Sequence, residues 1–575
     1  MSGTPTFNTA LPFRMGGAAT LVDGLDYAAQ GETGFNFFGA RGSVETVLPY
    51  AELRQRAQDL AVRLVGARLG RGERVGIIAE TGPDFMVAFF GCQYAGLLPV
   101  PLPLCVNFGG REAYEARLAG MLEAAGACAA IGPADLRDSV TLAAARVGIG
   151  LVGTLDDFMA MAAGDGALRP LQAHEPCYIQ YSSGSTSLPR GVLVSQQAVL
   201  ANATAIGRDG VALRPGDRCT TWLPLYHDMG LVGCCITPML AQLSVDYLAT
   251  ASFARRPLVW LRMLSEQGGT ISFSPTFGYS LCARRAGETA LPDLDLSRWR
   301  VAGIGAEMIR PQVLASFAER FAPVGFSSGA FLPSYGLAEA TLAVTMSPLG
   351  RGIRSDMEAP GSAGFTLCGK PLPGYEIEIR SGDGEPMDDR SVGRIFVRGP
   401  SLMNGYFRFP HLSRAPLVRE GWLDTGDLGY MIGGELVVTG RYKDLIIVGG
   451  RNIWPQDLEW AAEQVEGVRV GDTAAFAVPD EEGAERVMLV VECRRQDATD
   501  RDLLRREVAG QVRRSSGVDC EVILAAPRSL AYTTSGKLSR SAVRDALLAG
   551  RITDLDHGPV DLVPAVPPQL SAAPS

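Results

Sequence analysis

Between Tyr178 and Val192 the chain runs from a strand-like apolar entry, Tyr178-Ile-Gln-Tyr181, into a loop of small hydroxyl residues and leaves it through Arg190. Ser182, Ser183, Ser185 and Thr186 supply hydroxyls, and Gly184 frees backbone amides to converge on phosphate oxygens. Arg190 adds charge on a planar fork of donors. That composition fits a triphosphate. It is not the Gly-x-x-x-x-Gly-Lys-Ser/Thr loop that opens a helix in P-loop nucleotide hydrolases. A Ser/Gly run by itself is more often a plain solvated loop, so the assignment turns on the rest of the chain.

Further blocks follow in order. They are Trp222-Leu-Pro-Leu-Tyr-His-Asp-Met-Gly-Leu231, Gly305-Ala306-Glu307, Ser334-Tyr-Gly-Leu-Ala-Glu-Ala-Thr341, Asp424-Thr-Gly-Asp-Leu428, Gly440-Arg-Tyr-Lys-Asp-Leu445 and Ser535-Gly-Lys-Leu-Ser-Arg540. Together with the hydroxyl loop they resemble the adenylate-forming superfamily of acyl-CoA synthetases, fatty acyl-AMP ligases and nonribosomal adenylation domains. The resemblance spans roughly residues 40–545.

The resemblance implies ATP and Mg²⁺ as cofactors and a role for each matched residue. Ser182, Ser183, Gly184, Ser185, Thr186 and Arg190 would face the phosphates, with Thr186 also counted as catalytic. Glu339 would hold the metal, and Lys537 would meet the α-phosphate and the acyl carboxylate. Such chemistry is largely positioning and charge neutralisation. Gly305, Ala306, Glu307, Tyr335 and Gly336 resemble the adenine cradle, where small residues let a flat base lie close and an aromatic ring stacks on it. Asp427 and Arg441 look like the ribose-hydroxyl ligands. His227 is assigned to the acyl-carboxylate entrance, and Lys443 matches the hinge about which a small domain rotates. Ser187 stands where the family usually has Gly, and Arg190 where it has Lys.

Positioning these residues calls for an α/β protein. Strand-like 74–79, helical 83–94, strand-like 97–101, helical 111–125 and strand-like 128–131 alternate, which implies parallel sheets covered by helices. The expected large N-terminal domain, 1–440, holds two such α/β subdomains and a barrel-like β subdomain carrying 375–379, 393–397 and 435–438. A small mobile α+β domain, 441–555, follows, with a strand over 445–448, a helix over 455–465, strands over 473–478 and 487–492, and a helix over 500–515. The Pro/Ala/Ser-rich 556–575 reads as a disordered tail. No carrier domain follows, so a carrier acceptor is expected as a separate chain.

At 575 residues, with 47% hydrophobic and 20% charged, the composition is that of a multi-domain globular enzyme. A net charge of −9 argues against nucleic acid as a partner. Neither a signal peptide nor an apolar run long enough for a membrane span is visible. The eleven cysteines lack zinc spacing and read as reduced core residues, which together point to the cytoplasm.

The blocks around Trp222, Ser272, Tyr335 and Gly450 look most like fatty acyl-AMP ligases. An amino-acid substrate would need a buried carboxylate to pair its ammonium. Between Ile236 and Phe277 the acidic residues are only Asp246 and Glu266. A hydrophobic acid is favoured, in a tunnel walled by Met229, Ile236, Met239, Phe273 and Phe277. The resulting expectation is a fatty acyl-AMP ligase that hands its acyl group to the phosphopantetheine thiol of a separate holo acyl carrier protein. Alternatives are a fatty acyl-CoA synthetase using CoA and a non-catalytic acyl-adenylate or nucleotide-binding member. The interval 343–367, rich in Gly and Pro, reads as a loop insertion.

Overall fold

The computed structural model describes residues 11–104, 110–181, 190–287, 293–357, 364–414, 416–417, 421–448, 451–479, 485–532 and 537–560. The chain divides into two compact units. One comprises Met1–Met357, Gly364–Thr425 and Gly429–Val438, and the other Glu358–Ala363, Gly426–Leu428 and Thr439–Ser575.

In the first unit, strands Leu98–Leu102, Arg74–Ile78, Ala127–Ile131 and Leu151–Gly153 form an all-parallel sheet in that order. Leu98–Leu102 is buried along its whole length, as a parallel strand covered on both faces must be. The helix Pro83–Ala95 starts on a proline that fixes φ at its first turn and ends on Gly96 at φ +73°. Phe85 to Ala95 are all buried, so this helix lacks a polar stripe and lies inside the unit. Its crossing with Tyr50–Gly66 is close. A Cβ on Gly91 would lie 2.6 Å from Leu60 Cδ2.

A nine-stranded sheet runs Lys370–Pro371, Ala343–Met346, Phe331–Gly336, Val301–Ile304, Ile271–Ser274, Arg218–Thr221, Ser244–Leu248, Gly34–Phe38 and Val44–Pro49. Its centre is parallel and its margins antiparallel. Aromatic rings fill the core on one side, with Trp222 stacked on Phe253 at 3.8 Å and Trp260 edge-on to Trp299 at 5.2 Å. The stretch read as barrel-like forms a four-stranded sheet, Glu376–Arg380, Gly393–Arg398, Leu423–Ile432 and Glu435–Arg441.

The second unit holds Thr473–Pro479, Glu485–Glu492 and Glu521–Ala525, paired antiparallel and then parallel. Leu504, Val508 and Val512 of the helix Ala498–Ser516 join Leu458, Leu489 and Val491 in its core. That helix starts earlier than the sequence pattern predicts because Asp497 caps it, accepting from the Thr499 and Asp500 N–H groups. The helix Pro455–Ala462 stops short of the expected 465. Its next turn tightens into i→i−3 bonds from Gln464 to Ala461 and Val465 to Ala462. Every described cysteine is a free thiol, and most are buried. Among the described residues no helix is long and apolar enough to cross a membrane.

Candidate functional site

Strands Pro176–Tyr181 and Gly191–Ser195 pair antiparallel around the loop 182–189. The expected ligands Ser182, Ser183, Gly184, Ser185 and Thr186 lie outside the described residues. Arg190 stands at the loop's exit, and its guanidinium carbon sits 5.6 Å from the centre of the Tyr406 ring. The segment carrying Tyr406 extends the hairpin. Leu193 donates to Gly405 O at 3.1 Å, and Phe407 donates to Gly191 O at 2.8 Å. The Tyr406 hydroxyl donates to Glu339 Oε1 at 2.7 Å, while the Met403 N–H donates to the Glu339 carbonyl at 2.8 Å. Burial raises the Tyr406 phenol pKa above its ordinary value, and the Glu339 charge adds to the effect. One short segment therefore fastens both Arg190 and Glu339.

Glu339 lies in the single 3₁₀ turn Ala338–Ala340, directly beyond the strand end bearing Tyr335. The turn closes through Thr341 at φ +71°, an unusual conformation for a β-branched residue that costs on the order of 1–3 kcal/mol. Buried hydrogen bonds hold it there. Thr341 Oγ1 donates to Ser401 O, Ser401 Oγ to Ala340 O, and Asn202 exchanges bonds with the Ala343 backbone. Gly336 admits no side chain, since a Cβ would fall 1.7 Å from Leu342 O.

Gly305, Ala306 and Tyr335 are adjacent through the parallel pairing of Val301–Ile304 with Phe331–Gly336. Ser334 Oγ donates to Ile304 O at 2.9 Å, and Ala306 turns the chain at φ +73°. These residues cluster at the carboxyl ends of neighbouring parallel strands, where open α/β sheets bind ligands. Glu307 meets the start of a helix. Its Oε1 accepts from the Phe277 N–H at 2.9 Å, at the start of the helix Thr276–Gly287.

His227 precedes the π-helical segment Met229–Ile236, and its carbonyl accepts the Leu231 N–H. His227 Nδ1 lies 2.6 Å from Asp228 Oδ1, which also accepts the Met229 N–H at 2.7 Å. The Tyr226 carbonyl is bound by Gln180 Nε2 at 2.6 Å, linking this segment to the strand that enters the hydroxyl loop. Of the five residues read as a tunnel wall, Ile236 and Met239 are fully buried core residues, and Met239 approaches Gly24 of the helix Leu21–Ala28. Met229 is nearly as buried. Phe273 lies against Gly303, where a Cβ would come within 2.1 Å of its ring, and Phe277 meets Trp222 edge-on at 5.5 Å. The structure thus brings Phe273 and Phe277 close to the Gly305 region.

In the second unit Arg441 Nε and Asp427 Oδ1 are 3.6 Å apart. Lys443 is exposed. Its neighbour Asp444 belongs to a charged network absent from the sequence reading. Arg540 grips both Glu459 carboxylate oxygens at 2.7 Å and reaches Asp444 Oδ2 at 3.2 Å. Glu459 Oε1 also accepts the Ala475 N–H at 2.9 Å. Burial lowers the Arg540 pKa, and the charges of Glu459 and Asp444 more than reverse that, raising it overall. Lys537 follows 533–536, which lie outside the described residues. On either side of that interval Tyr532 bridges Leu538, and the Ser539 N–H donates to Ala531 O.

Tyr406 and Arg540 were not recognised in the sequence as functional. The only available signals were an aromatic after the Asn404-Gly405 turn and an arginine three residues beyond Lys537.

The pattern of the AMP-binding enzyme family matches residues 38–407. A protein of Caulobacter vibrioides provisionally named an acyl-CoA synthetase is 47% identical over 553 residues, covering 93% of this chain and 96% of its own length. A long-chain-fatty-acid–AMP ligase of Mycobacterium tuberculosis is 34% identical over 546 residues, covering 86% and 90%. A solved structure from studies of fatty acyl-adenylate ligases from E. coli and L. pneumophila superposes with a TM-score of 0.88 at 44% identity, covering 93% of this chain and 98% of that one.

Proposed function

Given that this chain belongs to the AMP-binding enzyme family, we propose that it activates a fatty acid with ATP. The products are acyl-AMP and pyrophosphate, and the acyl group then passes to the phosphopantetheine thiol of a separate holo carrier protein in the cytoplasm. The likeness to fatty acyl-AMP ligases supports the first half-reaction. The observation that carries the reading is the fastening of Glu339 and Arg190 by one segment beside the hydroxyl loop, within reach of the strand end that bears Tyr335.

In this scheme the Gly305, Ala306 and Tyr335 strand ends receive adenine, and Asp427 with Arg441 takes the ribose hydroxyls. Arg190 and the hydroxyl loop hold the phosphates. Glu339, a hard oxygen donor held in place by Tyr406, would hold the Mg²⁺ ion. When bound, Mg²⁺ neutralises charge on the departing pyrophosphate. His227, oriented by Asp228, faces the incoming carboxylate, and Lys537 stabilises charge at the α-phosphate. The second unit turns about Lys443 between the half-reactions, and the remaining parts of 1–440 stay together as the adenylation domain.

The acid is apolar. Asp246 is fully buried but gripped by Arg218 through two bonds of 2.6 Å, and Glu266 is exposed. Asp228 is engaged by His227 and its own helix. Asp246, Glu266 and Asp228 are thus not available to a substrate ammonium, whose unpaired burial would be prohibitive. A second reading, transfer to CoA, draws on the name of the Caulobacter relative. ATP–pyrophosphate exchange tests the proposal. It should require a fatty acid and proceed without CoA, and exchange driven by amino acids alone would overturn it.

A further inference from the structure

Tyr406 touches both charged groups at the phosphate end of the site, and it is held more firmly than a surface aromatic. It is 7% exposed, its N–H donates to Ser413 Oγ at 2.8 Å, and its residue bridges Val192 across the hairpin. A carboxylate has only acceptors, so the 2.7 Å contact fixes the phenol as donor and ties down Glu339 Oε1. The second oxygen of Glu339 is then set in direction by the planar carboxyl group. The Arg190 guanidinium carbon lies 5.6 Å from the ring centre, within cation–π range, and the guanidinium also hydrogen-bonds the Tyr406 hydroxyl. Backbone bonds from 403 to 407 reach Glu339 O, Gly191 O and the Leu193 N–H, so the segment carrying the ring is a fixed part of the site.

We propose that Tyr406 is a positioning residue for nucleotide activation: its hydroxyl aims Glu339 at the phosphate-bound cation while its ring seats Arg190 toward the phosphates. The inference rests on the ATP-activating reading above and adds to it a group that touches neither substrate nor metal. Removing the hydroxyl and removing the ring should therefore have different signatures. Tyr406→Phe keeps the ring and loses the hydroxyl's bonds to Glu339 and Arg190. Tyr406→Leu loses the ring as well.

The test is calorimetric binding of ATP to the full chain without fatty acid, with and without Mg²⁺, alongside the melting temperature. Tyr406→Phe should weaken Mg²⁺-dependent binding about tenfold, the scale of one hydrogen bond to a charged group, and Mg²⁺-free binding less. Tyr406→Leu should weaken both. Should Tyr406→Leu fail to fold, Glu339→Gln replaces it as the second arm. Adding Tyr406→Phe to Glu339→Gln should cost less than Tyr406→Phe costs the wild type, because the hydroxyl acts in part through that carboxylate. Equal affinities for wild type and Tyr406→Phe would overturn the proposal. So would equal losses with and without Mg²⁺, or a lower melting temperature with unchanged binding. A wild-type chain that binds no ATP would instead overturn the function itself.

Discussion

Replacing Asp457 with Asn should stabilise the second unit at neutral and alkaline pH and do nothing in acid. Asp457 lies in the first turn of Pro455–Ala462, where burial, reinforced by the charge of Glu459, raises its carboxyl pKa to about 7. An unfolded aspartate titrates near 4. Between those values the folded form holds a proton that the unfolded form has released, so stability is full below about pH 4 and falls as the pH rises through 7. The gap of about three pH units, at about 1.4 kcal/mol each, sets a ceiling of about 4 kcal/mol. Relaxation and partial solvent access reduce the expectation to about 2 kcal/mol at pH 8. Hydrogen exchange of amides in Pro455–Ala462 and Thr473–Pro479 at pH 4, 6 and 8 reads this difference locally. Other titrating groups cancel between the two proteins when they are distant. Parallel pH profiles for wild type and Asp457→Asn, or equal stabilisation at pH 4, would refute the reasoning.

Arg540→Met should destabilise the second unit by about 3–5 kcal/mol, because Glu459, 2% exposed, would keep its charge without a cation. A separate early unfolding transition in calorimetry would report it, and adding Glu459→Gln should restore part of the loss. Lys537→Ala should reduce adenylate formation by about 10²–10³ while ATP binding and folding persist, and unchanged pyrophosphate exchange would exclude its role.

The parallel layers were legible because the pattern changes period within a few residues, as between the buried run Arg74–Ile78 and the helix Pro83–Ala95. The matched blocks singled out Tyr335 and Glu339, and the structure sets Glu339 in the turn directly after the strand bearing Tyr335. The sequence does not reveal contacts between residues that are far apart along it. Tyr406 meets Glu339 across 67 positions, and Arg540 meets Glu459 across 81 and Asp444 across 96. Periodicity carries no trace of such pairs. Nor does it show that Thr341 takes a positive φ, a conformation held by buried bonds of Thr341 and Ala340 to Ser401 and of Ala343 to Asn202. Glu307 sits in a matched block, yet its Phe277 contact arises from how a helix start meets a strand end. The tunnel reading of Met229, Ile236, Met239, Phe273 and Phe277 came from composition, and burial is common to a tunnel wall and a core.

The central claim is tested most directly by offering one activated fatty acid to two acceptors side by side, CoA and a holo acyl carrier protein, and measuring thioester formed against adenylate consumed. The account predicts acyl transfer to the carrier at a rate comparable to adenylation, with little acyl-CoA. Robust acyl-CoA formation matching the adenylation rate, with the carrier left unloaded, would contradict it.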